Sequence, residues 1–148
     1  MGLFKKRAKD YTIVIGCSRL GATIASSLSD KDDNVLVLDK NEDSLRKLPQ
    51  SYSGQTFIGD AMSWATLEEI NITDADVVII VTHEDNINIM LSQMVKEVYG
   101  VERVIARLYD PERDIVYNEL GIETIYPAFL EAKQLMEWYD SVAQEDDD

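Results

Sequence analysis

The chain has 148 residues, 45% hydrophobic and 28% charged, which suits a single folded domain with its own core rather than a disordered chain. Its net charge of −14 repels phosphodiester backbones and argues against nucleic-acid binding. No apolar run approaches the length of a membrane span, one cysteine excludes an internal disulfide framework, and one histidine makes a His/Cys zinc site implausible.

In chain order, a basic leader (1–10) carries Lys5, Lys6, Arg7 and Lys9, whose four charges cancel an acidic tail (143–148) ending in Glu145–Asp148. The leader reads as a solvated segment, with contact to an anionic membrane surface or an acidic partner as the other reading. With no signal peptide ahead of the first apolar run, a soluble cytoplasmic protein is expected. "YTIVIG" (11–16) is a short, near-continuous apolar run, as in a strand buried on both faces. "NVLVLD" (34–39), "TFIG" (56–59), "DVVIIV" (76–81), "RVIAR" (103–107) and "ETIY" (123–126) repeat the pattern.

Helical stretches fall between them. Leu20, Ile24 and Leu28 share one face of the first, with Gly21 and Ala25 allowing close approach to a sheet. "NEDSLRKL" begins with a capping residue and early acids and is followed by Pro49. "DAMSWATLEEI" takes Asp60 as its N-cap, "EDNINIMLSQMVKEVYG" ends at Gly100, and "DPERDIVYNELG" runs from Pro111 to Gly121. A last amphipathic segment, 128–142, repeats Phe129, Ala132, Leu135, Met136, Tyr139 and Val142 at helical spacing. It packs back on the domain or docks on a second subunit. Alternating strands and helices give an α/β fold with a parallel sheet covered on both faces.

The candidate site lies at the carboxyl ends of the strands. "GCSRLG" has the first and third glycines of a dinucleotide-binding loop, Gly16 for the turn and Gly21 for helix packing. Ser18 takes the middle slot, where its hydroxyl is placed to bond a phosphate, and Arg19 adds a cation at the helix start. Asp39, 23 residues after Gly16, is placed to accept from ribose hydroxyls and to repel a 2′-phosphate, an effect that Lys40 weakens. Asp60, Thr82, His83 and Arg107 stand at the other strand ends. Cys17 reads as a small turn residue rather than a reactive thiol. His83 reads as a pocket-lining residue, because histidine catalysis needs an orienting partner and a substrate pocket. The Tyr-x-x-x-Lys pair of short-chain reductases occurs nowhere. The expected activity is binding without catalysis.

"GCSRLG", "LVLDKN", "FIGDA", "ADVVIIVTHEDNINIML", "VIARLYDPE" and "LGIETIYP" together resemble the N-terminal RCK domain (also KTN or TrkA-N), from about Tyr11 to Pro127. Such domains are the nucleotide-binding regulatory modules of Trk/Ktr potassium-uptake systems and of ligand-gated potassium channels. The resemblance implies a Rossmann-like, doubly wound, six-stranded sheet in the order 3-2-1-4-5-6 over residues 11–127, followed by a crossover helix, 128–142. It implies that Gly16, Cys17, Ser18, Arg19 and Leu20 hold phosphates and that Asp39 lies at the ribose, with Gly21 and Lys40 also in the cofactor site. Asp60 and Ala61 would lie near the adenine, Thr82 and His83 along the nucleotide, and Arg107 at its phosphate side.

By the same resemblance the ligand is NAD(H) or an adenine mononucleotide (ATP, ADP or AMP). The protein would form a homodimer or larger ring against a membrane potassium-transporter subunit, at the inner face of the membrane without insertion. Ser18 shifts the expectation toward a mononucleotide. Ala128 stands where some relatives carry an acid that helps hold a divalent cation, which counts against Mg²⁺ with the nucleotide. The C-terminal ligand-sensing domain usual in the family is expected to be absent or on a separate chain. An NAD-dependent oxidoreductase fragment and an assembly domain with a vestigial loop are the alternatives.

Overall fold

The computed structural model describes residues 10–31 and 33–147. The basic cluster at Lys5–Lys9 lies outside the described residues. Six strands, β1 (Tyr11–Ile15), β2 (Asn34–Asp39), β3 (Gln55–Ile58), β4 (Val77–Ile80), β5 (Arg103–Arg107) and β6 (Glu123–Ile125), form one sheet. The strand order is β3-β2-β1-β4-β5-β6 and every pairing is parallel. Strand limits agree with the sequence reading to within a residue.

Alternation along β1 explains the layers. Ile13 and Ile15 face one way and Val14 the other, and all are buried. The first face, with Leu36, Leu38, Val78 and Ile80, packs on Leu67 of α2 (Trp64–Glu69) and on Leu91 and Val95 of α3 (Asp85–Glu97). The second, with Val35, Val37 and Val81, packs on Ala22 and Ala25 of α1 (Arg19–Asp30), with Leu20, Ile24 and Leu28 beside them. A smaller cluster of Ala106, Leu108, Tyr117 and Ile122 closes the β6 end beneath α4 (Asp114–Glu119).

Three helical readings are corrected. "NEDSLRKL" forms a 3₁₀ helix, Glu42–Lys47, rather than an α-helix; Asn41 caps it by accepting from the Asp43 amide. Its ends close i→i+3, from the Ser44 amide to the Asn41 carbonyl and from the Leu48 amide to the Leu45 carbonyl. The third helix begins at Trp64, so Ser63 is its N-cap rather than Asp60. The Asp60 carboxylate instead accepts from the Met62 amide, making a local turn ahead of the helix. The last helix, α5 (Pro127–Asp147), runs past Val142, since no glycine or proline interrupts the tail. It does not pack back on the domain: Leu135 is 62% and Trp138 61% exposed.

A nucleotide-sized cleft at the switch in strand order

Strand order reverses at β1, whose neighbours are β2 and β4, and the crevice of an open α/β sheet opens there. Gly16 leaves β1 at φ +101°, and a Cβ there would stand 2.8 Å from the Thr82 amide nitrogen. A Cβ on Gly21 would run into the Gly16 carbonyl oxygen. Both glycines are therefore required for α1 to start tight against the β1–β4 edge.

Between them, Ser18 is buried, with an extended backbone at φ −72° that any residue can adopt. Its hydroxyl donates to the Val81 carbonyl at 2.9 Å and accepts from the Gly21 amide at 3.1 Å. The expectation that this hydroxyl meets a phosphate is therefore corrected: it caps α1 and faces inward. The side chain is out of the ligand's way, so the missing middle glycine does not obstruct the loop. The first amides of α1 have no intrahelical partners, and with the helix dipole they form an anion-binding end.

Asp39 ends β2, and its carboxylate spans the loop. One oxygen accepts from the Cys17 amide at 2.8 Å and the other from the Asn41 amide at 2.8 Å. The Lys47 ammonium donates to the Cys17 carbonyl at 3.3 Å. Burial first, and Asp39 second, push the Cys17 thiol up, against a smaller opposing pull from Lys47. A raised thiol pKa means less thiolate, as expected of a packed turn residue.

The cleft has a volume of about 240 Å³. Gly16, Cys17 and Ser18 form one wall, Asp39, Lys40, Asn41 and Ser44 a second, Gly59 to Met62 a third, and Thr82, His83, Glu84 and Ile87 the last. Asn41, Ser44, Met62, Glu84 and Ile87 were not singled out in the sequence, because short polar and apolar residues after a strand carry no signal of their own. Three expected residues stand elsewhere. Arg19 lines a separate open hollow with Thr23, Ser26 and Lys47; Leu20 packs in the core; and Gly21 lies behind the loop.

Arg107 borders a second hollow of about 120 Å³, against Pro127, Ala128 and Glu131 of α5. One guanidinium nitrogen nevertheless reaches the cleft edge, donating to the Thr82 carbonyl and lying 3.5 Å from His83 Nδ1. Asn88 fixes this corner. Fully buried, it accepts from the Thr82 amide and hydroxyl and donates to the carbonyls of Thr82 and Arg107. Asp85, one turn earlier, accepts from the Tyr109 amide at 2.8 Å. The i, i+3 spacing puts both side chains on the face of α3 that meets the end of β5. Among the described residues, no group of three or more His, Cys, Asp or Glu is placed to hold a metal ion. No helix among them is long and apolar enough to cross a membrane.

A model of the TrkA-N domain matches residues 12–127, from β1 to the first residue of α5. The chain belongs to the TrkA-N domain family. The Trk system potassium uptake protein TrkA of Streptomyces coelicolor is 35% identical over 126 residues, covering 85% of this chain and 56% of that protein. The chain spans about half the length of this relative and of the Trk system potassium uptake protein TrkA homolog of Methanothermobacter thermautotrophicus. Among solved structures, the TrkA-N domain of the inner membrane protein ybaL from Escherichia coli superposes with a TM-score of 0.75 at 14% identity. That match covers 89% of this chain and 98% of the ybaL domain. GsuK bound to ADP gives a TM-score of 0.72 at 24% identity, covering 85% of this chain and 32% of that one. At these identities the structural matches establish the fold of this TrkA-N domain.

Proposed function

We propose that this TrkA-N chain is a non-enzymatic, nucleotide-binding regulator of a membrane potassium transporter or channel. The observation that carries the reading is the cleft itself. The start of α1 and the Asp39 carboxylate converge on one hollow at the switch in strand order, which is how an open α/β sheet binds a nucleotide. The potassium-uptake name of the Streptomyces relative and the ADP in the GsuK structure support the partner and the ligand.

The ligand class is an adenine nucleotide or NAD(H). A cleft of about 240 Å³ lies below the roughly 300–1,000 Å³ of typical small-molecule sites, which favours a mononucleotide or one half of a dinucleotide. The amides of Ser18, Arg19 and Leu20 take the phosphates. Asp39 and Lys40 take the ribose, and Asp60 and Ala61 the adenine edge. Thr82, His83 and Arg107 face the rest of the ligand. Burial raises the Cys17 thiol, and the His83 ring faces a guanidinium instead of an orienting carboxylate, which supports binding without turnover. Residues 11–127 form the binding unit, working at the cytoplasmic face of the membrane, and α5 forms a homodimer.

The test is thermal unfolding with NAD⁺, NADH, ATP, ADP and AMP, each with and without Mg²⁺. A ligand at a hundred times its dissociation constant adds about 2.7 kcal/mol. At least one is expected to raise the melting temperature, and Asp39→Asn, checked for folding by circular dichroism, is expected to abolish the shift. No shift with any of the five would give the lead to an assembly domain with a vestigial loop.

A further inference from the structure

Lys47 ends the 3₁₀ helix Glu42–Lys47, and its ammonium reaches back to the loop after β1, 30 positions earlier in the chain. It donates to the Cys17 carbonyl at 3.3 Å, while the Cys17 amide donates to Asp39 at 2.8 Å. Both backbone groups of one loop residue are thus held by side chains of the segment from the end of β2 to the end of the 3₁₀ helix. Lys47 lines the open hollow that it shares with Arg19, Thr23 and Ser26. It does not line the nucleotide cleft, and the two depressions have no lining residue in common.

The Cys17 carbonyl and the Ser18 amide belong to one peptide group, which is planar and trans, so that its C=O and N–H point opposite ways. A carbonyl drawn toward Lys47 therefore turns the Ser18 N–H away from the hollow. Among the described residues that N–H has no acceptor, and Ser18 stands on the wall of the cleft. With the Cys17 amide engaged by Asp39, the Ser18 amide is the first of the loop open to a phosphate, ahead of those of α1. We propose that Lys47 is a positioning residue for phosphate binding. From outside the cleft it fixes the Cys17–Ser18 peptide so that the Ser18 amide meets a phosphate oxygen of the ligand. Without that donor the peptide plane swings about its flanking bonds, and the amide is aligned for only part of the time.

The inference rests on the nucleotide reading, and its test separates their failures. The dissociation constant of ADP, or of the best binder of the five nucleotides where ADP gives no thermal shift, is measured for the wild type, Lys47→Met and Lys47→Arg. Lys47 is exposed, so both variants are expected to fold, which circular dichroism checks. Lys47→Met is expected to bind about three- to tenfold more weakly, the net worth of one hydrogen bond. Lys47→Arg keeps a cationic donor and is expected to recover most of that loss. The penalty in Lys47→Met is expected to persist between about 0.05 M and about 0.5 M salt, and a loss that vanishes at high salt is a plain charge effect that overturns the positioning role. Unchanged affinity in Lys47→Met, or an equal loss in Lys47→Arg, also overturns it and leaves the nucleotide reading standing. A wild type that binds none of the five nucleotides overturns both. In ¹H–¹⁵N spectra of the wild type the Ser18 amide proton is expected to move downfield on binding, as it gains an oxyanion acceptor. A Ser18 amide that does not respond overturns the alignment whatever the affinities show.

Discussion

Replacing Ser18 by alanine would remove two hydrogen bonds, leaving the Val81 carbonyl and the Gly21 amide without their partner. Loss of an N-cap hydroxyl costs about 1–2 kcal/mol, and both groups left behind are buried, so the upper end is expected in chemical denaturation. Ser18→Gly restores the three-glycine fingerprint but loses the same bonds, so nucleotide affinity no better than wild type is expected. The identity of this residue was legible in the sequence, and its role was not. Which way the hydroxyl turns depends on a carbonyl 63 positions away on β4. Asp39 was similar: its position at the end of β2 could be read, but its bond to the Cys17 amide arises only when β1 and β2 lie side by side. Arg19 went the other way, since the turn of α1 that brings its amide to the loop carries its side chain to the outer surface.

At the scale of elements, the strands were readable because a parallel sheet buried on both faces demands unbroken apolar runs, and few other structures do. The short helices were harder. A six-residue segment such as Glu42–Lys47 has too few turns for a period to decide between 3₁₀ and α, and the start of α2 was hidden by two plausible caps, Asp60 and Ser63. The clip that Asp85 and Asn88 of α3 make to the end of β5 joins residues 24 and 19 positions apart, which no local pattern shows. Asn88 now accounts for four contacts that tie the ends of β4 and β5 to one helix, holding Thr82 and Arg107 at the cleft. Asn88→Ala leaves the Thr82 amide and the Arg107 carbonyl without their side-chain partner, at about 1–3 kcal/mol for each group left unsatisfied. A loss of at least about 2 kcal/mol is expected in denaturant unfolding. A matching increase in hydrogen exchange is expected at the Thr82 amide, which loses its acceptor. An effect confined to the far end of α3 would contradict the clip.

For the whole molecule, α5 is the element that one domain leaves unexplained. Its 21 residues extend about 31 Å at 1.5 Å per residue, and Phe129, Leu130, Leu135, Met136, Trp138 and Tyr139 are all more than half exposed. A helix gains little from propensity alone, and in proteins most of its stability comes from burying an apolar face. Six large exposed apolar side chains on one helix therefore require a surface outside the domain, and a second copy presents an identical helix. A symmetric pairing of two such helices is self-complementary by construction. The homodimer proposed above then predicts that helix content and mass change together. In sedimentation velocity the protein is expected to run as a dimer at micromolar concentration, and Leu135→Glu with Trp138→Glu is expected to give monomers. The same variant should lose far-ultraviolet helix signal, because an unpartnered α5 frays. The residues lining its cleft all come from β1 to α3, so the thermal shift given by the bound nucleotide is expected to persist in the monomer. A variant that stays dimeric, or a wild type that is monomeric with α5 fully helical, would show that this face is covered by something other than a second copy.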